Sequence, residues 1–546
     1  MKALLTTTIF WLTVLTASAQ YTFVKQWDYR YGGDEHEGLI AFTETLDSGF
    51  LLGGTSYSGI SGDKTEANRG DSDYWIVKLN ADGIKQWDRT FGSLGGDGLQ
   101  GLAVAKDGGY LVGGNTYWGI GGDKTEASRG GYDYWVVKIN ASGVKEWDKT
   151  FGGPSGEYGP IILSCKDGGY LLSGNSWSGM GGDKTEPSWG DYDLWVVKID
   201  SAELKQWDKR FGGTDRELGT WTAEKNDGGY IIIGSTQSDS SGDVSENNRG
   251  AWDYWVINID ADGNKIWEKR YGGTGGDSPT SVIVNNSDDF ILAGNSSSPI
   301  SGDKTQIAKG NTDYWVVKID STGQKELDKV YGGTNAEELW NMVKTKDGGH
   351  LLSGTSTSNI GADKSEYNND GEMRVWVLKV DSLRNKQWDK TIFTVGGILD
   401  GGYAIQTTDG CYAVGEITSS GIGGYKSQPN WDASNQTADY WVLKFCMEPY
   451  NAIEEPQAHK GDLIQVWPNP FSSDISIALT NQQIQEATFT ITDATGRVVY
   501  QKEENNLAPG YTKVLDLSWL ANGVYFVTVS TANSGVNSQV KRVVKQ

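Results

Sequence analysis

Hydrophobic and polar positions alternate along most of this chain. Lys85-Gln86-Trp87-Asp88-Arg89-Thr90-Phe91 puts Trp87 and Phe91 on one face, the pattern of a strand with one buried side. Leu99 to Ala105 reads as a second short strand. Asp107-Gly108-Gly109 follows as a hairpin turn, because Gly tolerates positive φ. Tyr110 to Asn115 is a third strand; a Gly-rich loop, Thr116 to Tyr132, leads to a fourth, Asp133 to Asn140. Ala141-Ser142-Gly143 then turns the chain into the next such unit. No stretch keeps a helical period with caps, so the unit is four antiparallel strands.

The unit recurs. Asp-Tyr-Trp or a near copy ends at Trp75, Trp135, Trp195, Trp255, Trp315, Trp376 and Trp441. Gln-Trp-Asp or a variant begins at Gln26, Gln86, Glu146, Gln206, Ile266, Glu326 and Gln387. A fixed period of about 60 residues fixes the architecture before any local motif does. One four-stranded sheet cannot bury both its faces, whereas seven arranged radially cover one another. The expected fold is all-β: a seven-bladed β-propeller of four-stranded antiparallel blades over 21–446, plus a small C-terminal β-sandwich. The last unit lacks a fourth strand of its own, and the segment around Lys25 is free to supply it. Within a blade the Leu99-type strand is expected innermost and the Gln-Trp-Asp strand outermost.

Gly54-Thr55-Ser56, Asp73-Tyr74-Trp75-Ile76-Val77-Lys78-Leu79-Asn80 and Gly32-Gly33 resemble the bacterial β-propeller repeats built on Gly-Ser-Thr-Ser and Asp-(aromatic)-Val-(Val/Ala)-Lys-(Leu/Ile)-Asp. That resemblance speaks to fold and says little about function. Beyond Cys446 the composition changes: 447–462 reads as a linker, with two Pro and four Asp/Glu. The segment 463–546 then carries Trp467-Pro468-Asn469-Pro470-Phe471, Asp493-Ala494-Thr495-Gly496, Gly523-Val524-Tyr525 and a basic end, Lys541-Arg542-Val543-Val544-Lys545. In that order they look like the C-terminal sorting domain of cargo for the type IX secretion system of Bacteroidetes. The resemblance implies handling by that machinery, with release or attachment at the outer cell surface.

The other end agrees. Lys2, an apolar run Ala3 to Thr16, and Ala17-Ser18-Ala19 read as a signal peptide over 1–19, too short to span a membrane comfortably. Export permits a disulfide, and Cys411 and Cys446 fall near opposed positions of neighbouring strands, while Cys165 suits a core. The net charge of −23 resides in the repeats, since the residues from Ile464 onward hold six basic and six acidic groups. So acidic a surface makes nucleic acid an unfavourable partner.

Two repeated polar features and one irregular set are candidate chemistry. A carboxylate opens each innermost strand: Glu37, Asp97, Glu157, Glu217, Asp277, Glu337 and, shifted, Asp400. These either ring the channel mouth, where Ca²⁺ or a cationic or polyhydroxyl ligand would meet them, or accept N–H bonds within their own turns. Gly-Asp-Lys-Thr-Glu in the long loops, with Asp63, Asp123, Asp183, Asp243, Asp303 and Asp363, suits Asx-type turns. The aromatics outside the repeat are Tyr57, Tyr117, Trp118, Trp177, Trp189, Trp221, Trp252, Trp340 and Trp431, all expected on the face of the long loops. Aromatic faces stack on sugar rings, so a glycan is the preferred ligand and a surface protein the alternative. His36, His350 and His459 stand near no Ser or Cys motif, and no zinc, phosphate or nucleotide fingerprint appears, so no cofactor is expected. Glycoside cleavage by two of the ring carboxylates is the rival class, and a structural or adhesive surface element is the third.

Overall fold

Among the described residues up to Pro449, every sheet strand belongs to a four-stranded antiparallel sheet. This computed structural model describes residues 21–449 except 286–287, 369–371 and 397–398, and 464–545 except 468–470, 480–483, 494–496, 509–510 and 533–535. The signal segment, most of the linker, the Pro-Asn-Pro box and Ala494-Thr495-Gly496 lie outside the described residues. The chain divides into two compact units, Met1–Glu448 and Pro449–Gln546.

Among the described residues the first unit holds seven four-stranded sheets. Their innermost strands are Glu37–Glu44, Asp97–Val104, Glu157–Ser164, Glu217–Glu224, Asp277–Val284, Glu337–Lys344 and Leu399–Gln406, which number the blades one to seven. Blade two runs outward through Tyr110–Thr116, Asp133–Ile139 and Lys145–Phe151. In blade seven the outermost place is taken by the chain's first strand, Tyr21–Tyr31, paired with Asp439–Pro449. That last strand extends three residues into the segment read as linker, because Tyr21–Tyr31 gives it a partner.

Five of the seven blade junctions carry a Tyr–Trp contact. Tyr74 donates its hydroxyl to the Trp135 carbonyl of the next blade at 3.1 Å, with ring centroids 5.0 Å apart. Tyr440 of blade seven treats Trp75 of blade one in the same way, at 3.3 Å and 4.9 Å, which closes the ring. All seven Asp-Tyr-Trp tryptophans are fully buried. Each such ring removes roughly 150–250 Å² from water, about 4–6 kcal/mol before the entropy of ordering it. Cys411 and Cys446 form a disulfide between the last two strands of the repeat region. Cys165 is free and buried.

The second unit is a β-sandwich. One sheet contains Ile464–Trp467, Asp474–Leu479 and Thr512–Asp516; the other contains Val498–Leu507, Ile484–Asp493, Gly523–Ala532 and Val536–Lys545. Ile475 and Ile477 from the first sheet and Phe489, Ile491 and Val527 from the second share one core. Lys545, near the C-terminus, is buried and donates to the carbonyls of Leu517 and Ser518 at 2.6 and 2.9 Å. Among the described residues no helix is long and apolar enough to cross a membrane.

Candidate ligand-binding site

The ring carboxylates come first, because repetition made them conspicuous. Glu37, Asp97, Glu157, Glu217, Asp277 and Glu337 are all 0 % exposed. Glu157 accepts the Gly153 N–H at 2.8 Å and the Ser176 hydroxyl at 2.7 Å. Glu37 accepts Gly33 N–H, Ser56 and Ser58 at 2.8, 2.8 and 2.6 Å. Each therefore ties the start of an innermost strand to the turn before it, and none faces the channel. The Asp400 side chain lies outside the described residues. Among those residues no cluster of three or more His, Cys, Asp or Glu stands close enough to hold a metal.

The Gly-Asp-Lys-Thr-Glu aspartates are latches between blades. Asp183 accepts Arg129 Nε from the preceding blade's loop at 3.0 Å and the Gly152 N–H at 3.2 Å. Where that loop carries Trp instead of Arg, the cation comes from a neighbouring strand. Arg210 reaches Asp243 at 2.7 Å with its guanidinium 5.0 Å from the Trp189 ring. Arg30 stacks over Trp431 at 4.2 Å, and the Trp431 indole N–H itself reaches Asp63 at 2.8 Å. Trp189 and Trp431 thus hold blades together while keeping one side in solvent.

Other aromatics gather in an arc. Trp118 meets Tyr117 edge to face at 6.5 Å, Tyr117 meets Tyr132 at 5.5 Å, and Tyr132 meets Tyr158 at 4.9 Å. Tyr158 stacks on Trp177 at 4.9 Å, and Trp177 meets Tyr192 at 4.8 Å. The Arg216 guanidinium, paired with Asp191 at 3.2 Å, covers Tyr192 at 5.9 Å. Each of these rings lies within two residues of a strand end at the long-loop side of blades two and three. Tyr117 and Trp118 are 56 and 50 % exposed. The repeat gives no aromatic arc elsewhere: the Tyr117 and Trp177 position reads Gln237, Ser297 and Thr357 in blades four to six. Tyr57 fills it in blade one, 6.3 Å from His36, and Trp252 fills the Tyr132 position in blade four. Partial burial, with Tyr132 and Tyr192 beside it, raises the Tyr158 pKa, so its hydroxyl stays protonated.

Trp221 and Trp340 are not on the loop face. They line the central channel, a cavity of about 430 Å³ that also meets Ile40, Gln100, Thr280 and Tyr403. A register shift interrupts all seven innermost strands at the same level, between Leu39 and Ala41 in blade one and between Leu339 and Asn341 in blade six. An extra residue there breaks the two-residue alternation and re-aims side chains toward the axis. Sequence reasoning missed Tyr132, Tyr158, Tyr192 and Tyr403. Aligning the repeat column by column isolates the first three, since position 72 is Ser where 132 and 192 are Tyr, and positions 38 and 98 are Gly where 158 is Tyr.

Residues 465–546 match the family described as the secretion system C-terminal sorting domain. That tail directs the protein out of the cell, to the medium or to the outer surface. Over 168 residues the chain is 24 % identical to the regulatory protein FlaEY of Caulobacter vibrioides, a match covering 29 % of this chain and 18 % of that protein. The WD40 domain of Neurospora crassa Pan2 is 11 % identical with a TM-score of 0.41, over 78 % of this chain and 96 % of that one. A Dyadobacter fermentans protein of unknown function is 12 % identical with a TM-score of 0.40, over 78 % and 99 %.

Proposed function

We propose that this exported propeller is a binding protein whose ligand is a neutral glycan, gripped by Trp118, Tyr117, Tyr132, Tyr158, Trp177 and Tyr192. The observation that carries the reading is the confinement of this unbroken run of rings to two of seven otherwise similar blades. A packing device recurs around the ring, as the Tyr–Trp contacts do at five of the seven blade junctions. A ligand needs only one patch. Partly exposed aromatic faces suit the C–H face of a pyranose, while the Tyr hydroxyls serve its edge. The net charge of −23 disfavours sulfated or uronic acid chains. Cleavage needs two carboxylates flanking the bond, and the six buried ring carboxylates are spent on their own turns, which supports binding over hydrolysis.

The test is a glycan array probed with the secreted chain and with Trp177→Ala, Tyr158→Ala and Trp252→Ala. Signals from neutral glycans should vanish in the first two and survive in the third. If no glycan is retained, or if Trp177→Ala and Tyr158→Ala bind undiminished, the reading is wrong.

A further inference from the structure

Granting the glycan reading of the arc, we propose that the central channel is a chain-end pocket: it takes the terminal ring of the polymer whose next units lie on the arc. Three observations lead there. First, the channel is lined unevenly. Trp221, Trp340 and Tyr403, from blades four, six and seven, give it aromatic walls, with Trp340 and Tyr403 edge to face at 6.1 Å. Gln100 and Asn295 line it with polar side chains. Apolar faces with a few convergent polar groups, in about 430 Å³, are the make-up of a small-molecule pocket. A sugar ring, apolar on its faces and hydroxylated at its edge, has the complementary make-up.

Second, arc and channel meet. Tyr158 is the second residue of its innermost strand, and the next residue, Gly159, lines the channel. Glu338 holds the same strand position in blade six and also lines the channel, so Tyr158 and Glu338 stand at one level of the rim. Third, among the described residues the wall has no gap through which a polymer could lie across it. The innermost strands neighbour one another all round, and blade seven neighbours blade one. An internal stretch of a glycan can rest on the open arc, but only a terminus can descend among Trp221, Trp340 and Tyr403. The arc would then supply general affinity and the channel the preference for ends.

Calorimetry on the full chain tests this with neutral cello-, xylo-, manno- and chito-oligosaccharides of increasing length, and with the same sugars reduced at one end or capped at the other. For whichever series binds, one of the two end modifications should weaken the wild type by roughly tenfold, the worth of one lost aromatic stack. Trp340→Ala and Trp221→Ala should lose a similar factor for the unmodified oligosaccharides, with Trp340→Phe largely restoring it. The corresponding insoluble polymer, rich in internal segments, should still bind these variants, whereas Trp177→Ala should fail on both. If the two end modifications and the channel substitutions all leave affinity unchanged while Trp177→Ala abolishes it, the pocket is refuted and the arc reading stands. A wild type that binds none of these sugars refutes both.

Discussion

Each Asp-Tyr-Trp tryptophan is held by a single carboxylate on the outermost strand. Trp135 donates its indole N–H to Asp148 at 3.0 Å, and Asp148 also accepts the Thr125 N–H and hydroxyl at 2.9 and 2.8 Å and pairs with Lys145 at 2.6 Å. These donors hold the Asp148 carboxyl below its usual range although burial alone would raise it. One residue therefore joins a strand, a long loop and a buried indole, and the two sequence markers recur together for that reason. Asp148→Ala would strand the indole N–H in a fully buried site, at an expected cost of about 2–4 kcal/mol. Urea unfolding measures it, and a loss below about 1 kcal/mol would show that the indole does not depend on this bond. The same logic explains what a single sequence conceals. Tyr132 and Tyr192 close the long loops just ahead of Asp133 and Asp193, where one repeat read alone does not set them apart, yet they build the arc.

At the level of the element, the strand pattern was legible almost to the residue. Lys85–Phe91 is the strand its alternation suggests, and Tyr110 and Asp133 open theirs as expected. The innermost strands are where alternation misleads, since the register shift at residue 40 and its equivalents inverts the faces that a plain two-residue period assigns. Strand order alone puts Trp221 and Trp340 on the loop face; they stand instead within their innermost strands, beside the shift, and line the channel. Blade seven shows how a repeat absorbs an exception. In blade three a Cβ on Gly174 would stand 2.3 Å from the Tyr158 carbonyl oxygen and 2.6 Å from the Tyr134 hydroxyl, so that position stays Gly. Ahead of blade seven the Tyr is Val375, and the Gly becomes Glu416, fully buried, with its carboxyl favoured in the acid form by desolvation against the pull of Lys426 and Arg374. The disulfide guards the same blade, where the ring closes on non-consecutive strands. Cys411 and Cys446 enclose a separation of 35 residues, for which chain entropy predicts about 3–4 kcal/mol. Reduction, or Cys411→Ser, should lower the propeller's melting temperature by several degrees; an unchanged melt under reductant would mean that the Tyr21–Tyr31 pairing alone secures the closure.

For the molecule as a whole, the ring multiplies one electrostatic arrangement. At the blade junctions the Asp of Asp-Tyr-Trp lies against the strand-opening carboxylate of the following blade: Asp73 with Asp97, Asp133 with Glu157, Asp193 with Glu217, Asp439 with Glu37. Desolvation first, then the neighbouring carboxylate, pushes Asp133 and Asp439 up to about 7 and Asp73 and Asp193 up to about 6. An unfolded Asp titrates near ~3.9, so between roughly pH 4 and 7 the folded chain holds protons that the unfolded chain has released. The stability these groups contribute is complete below the unfolded value and is lost as pH rises through 6 to 7. The outermost-strand carboxylates Asp88, Asp148, Asp208 and Asp328 act in the opposite sense: their folded values lie below the unfolded one, and their contribution fades as the medium turns acid. Lys64, Lys184 and Lys364, lowered to about 8 by burial, titrate at or above the upper edge of this window. The melting temperature should therefore rise on going from about pH 8 to about pH 5 and fall again below about pH 4. Asp133→Asn should flatten the rise without removing the acid fall. A melting temperature that stays level or climbs from pH 5 to pH 8 would mean that the junction carboxylates remain charged in the fold, and that the nearby lysines, rather than protons, balance them.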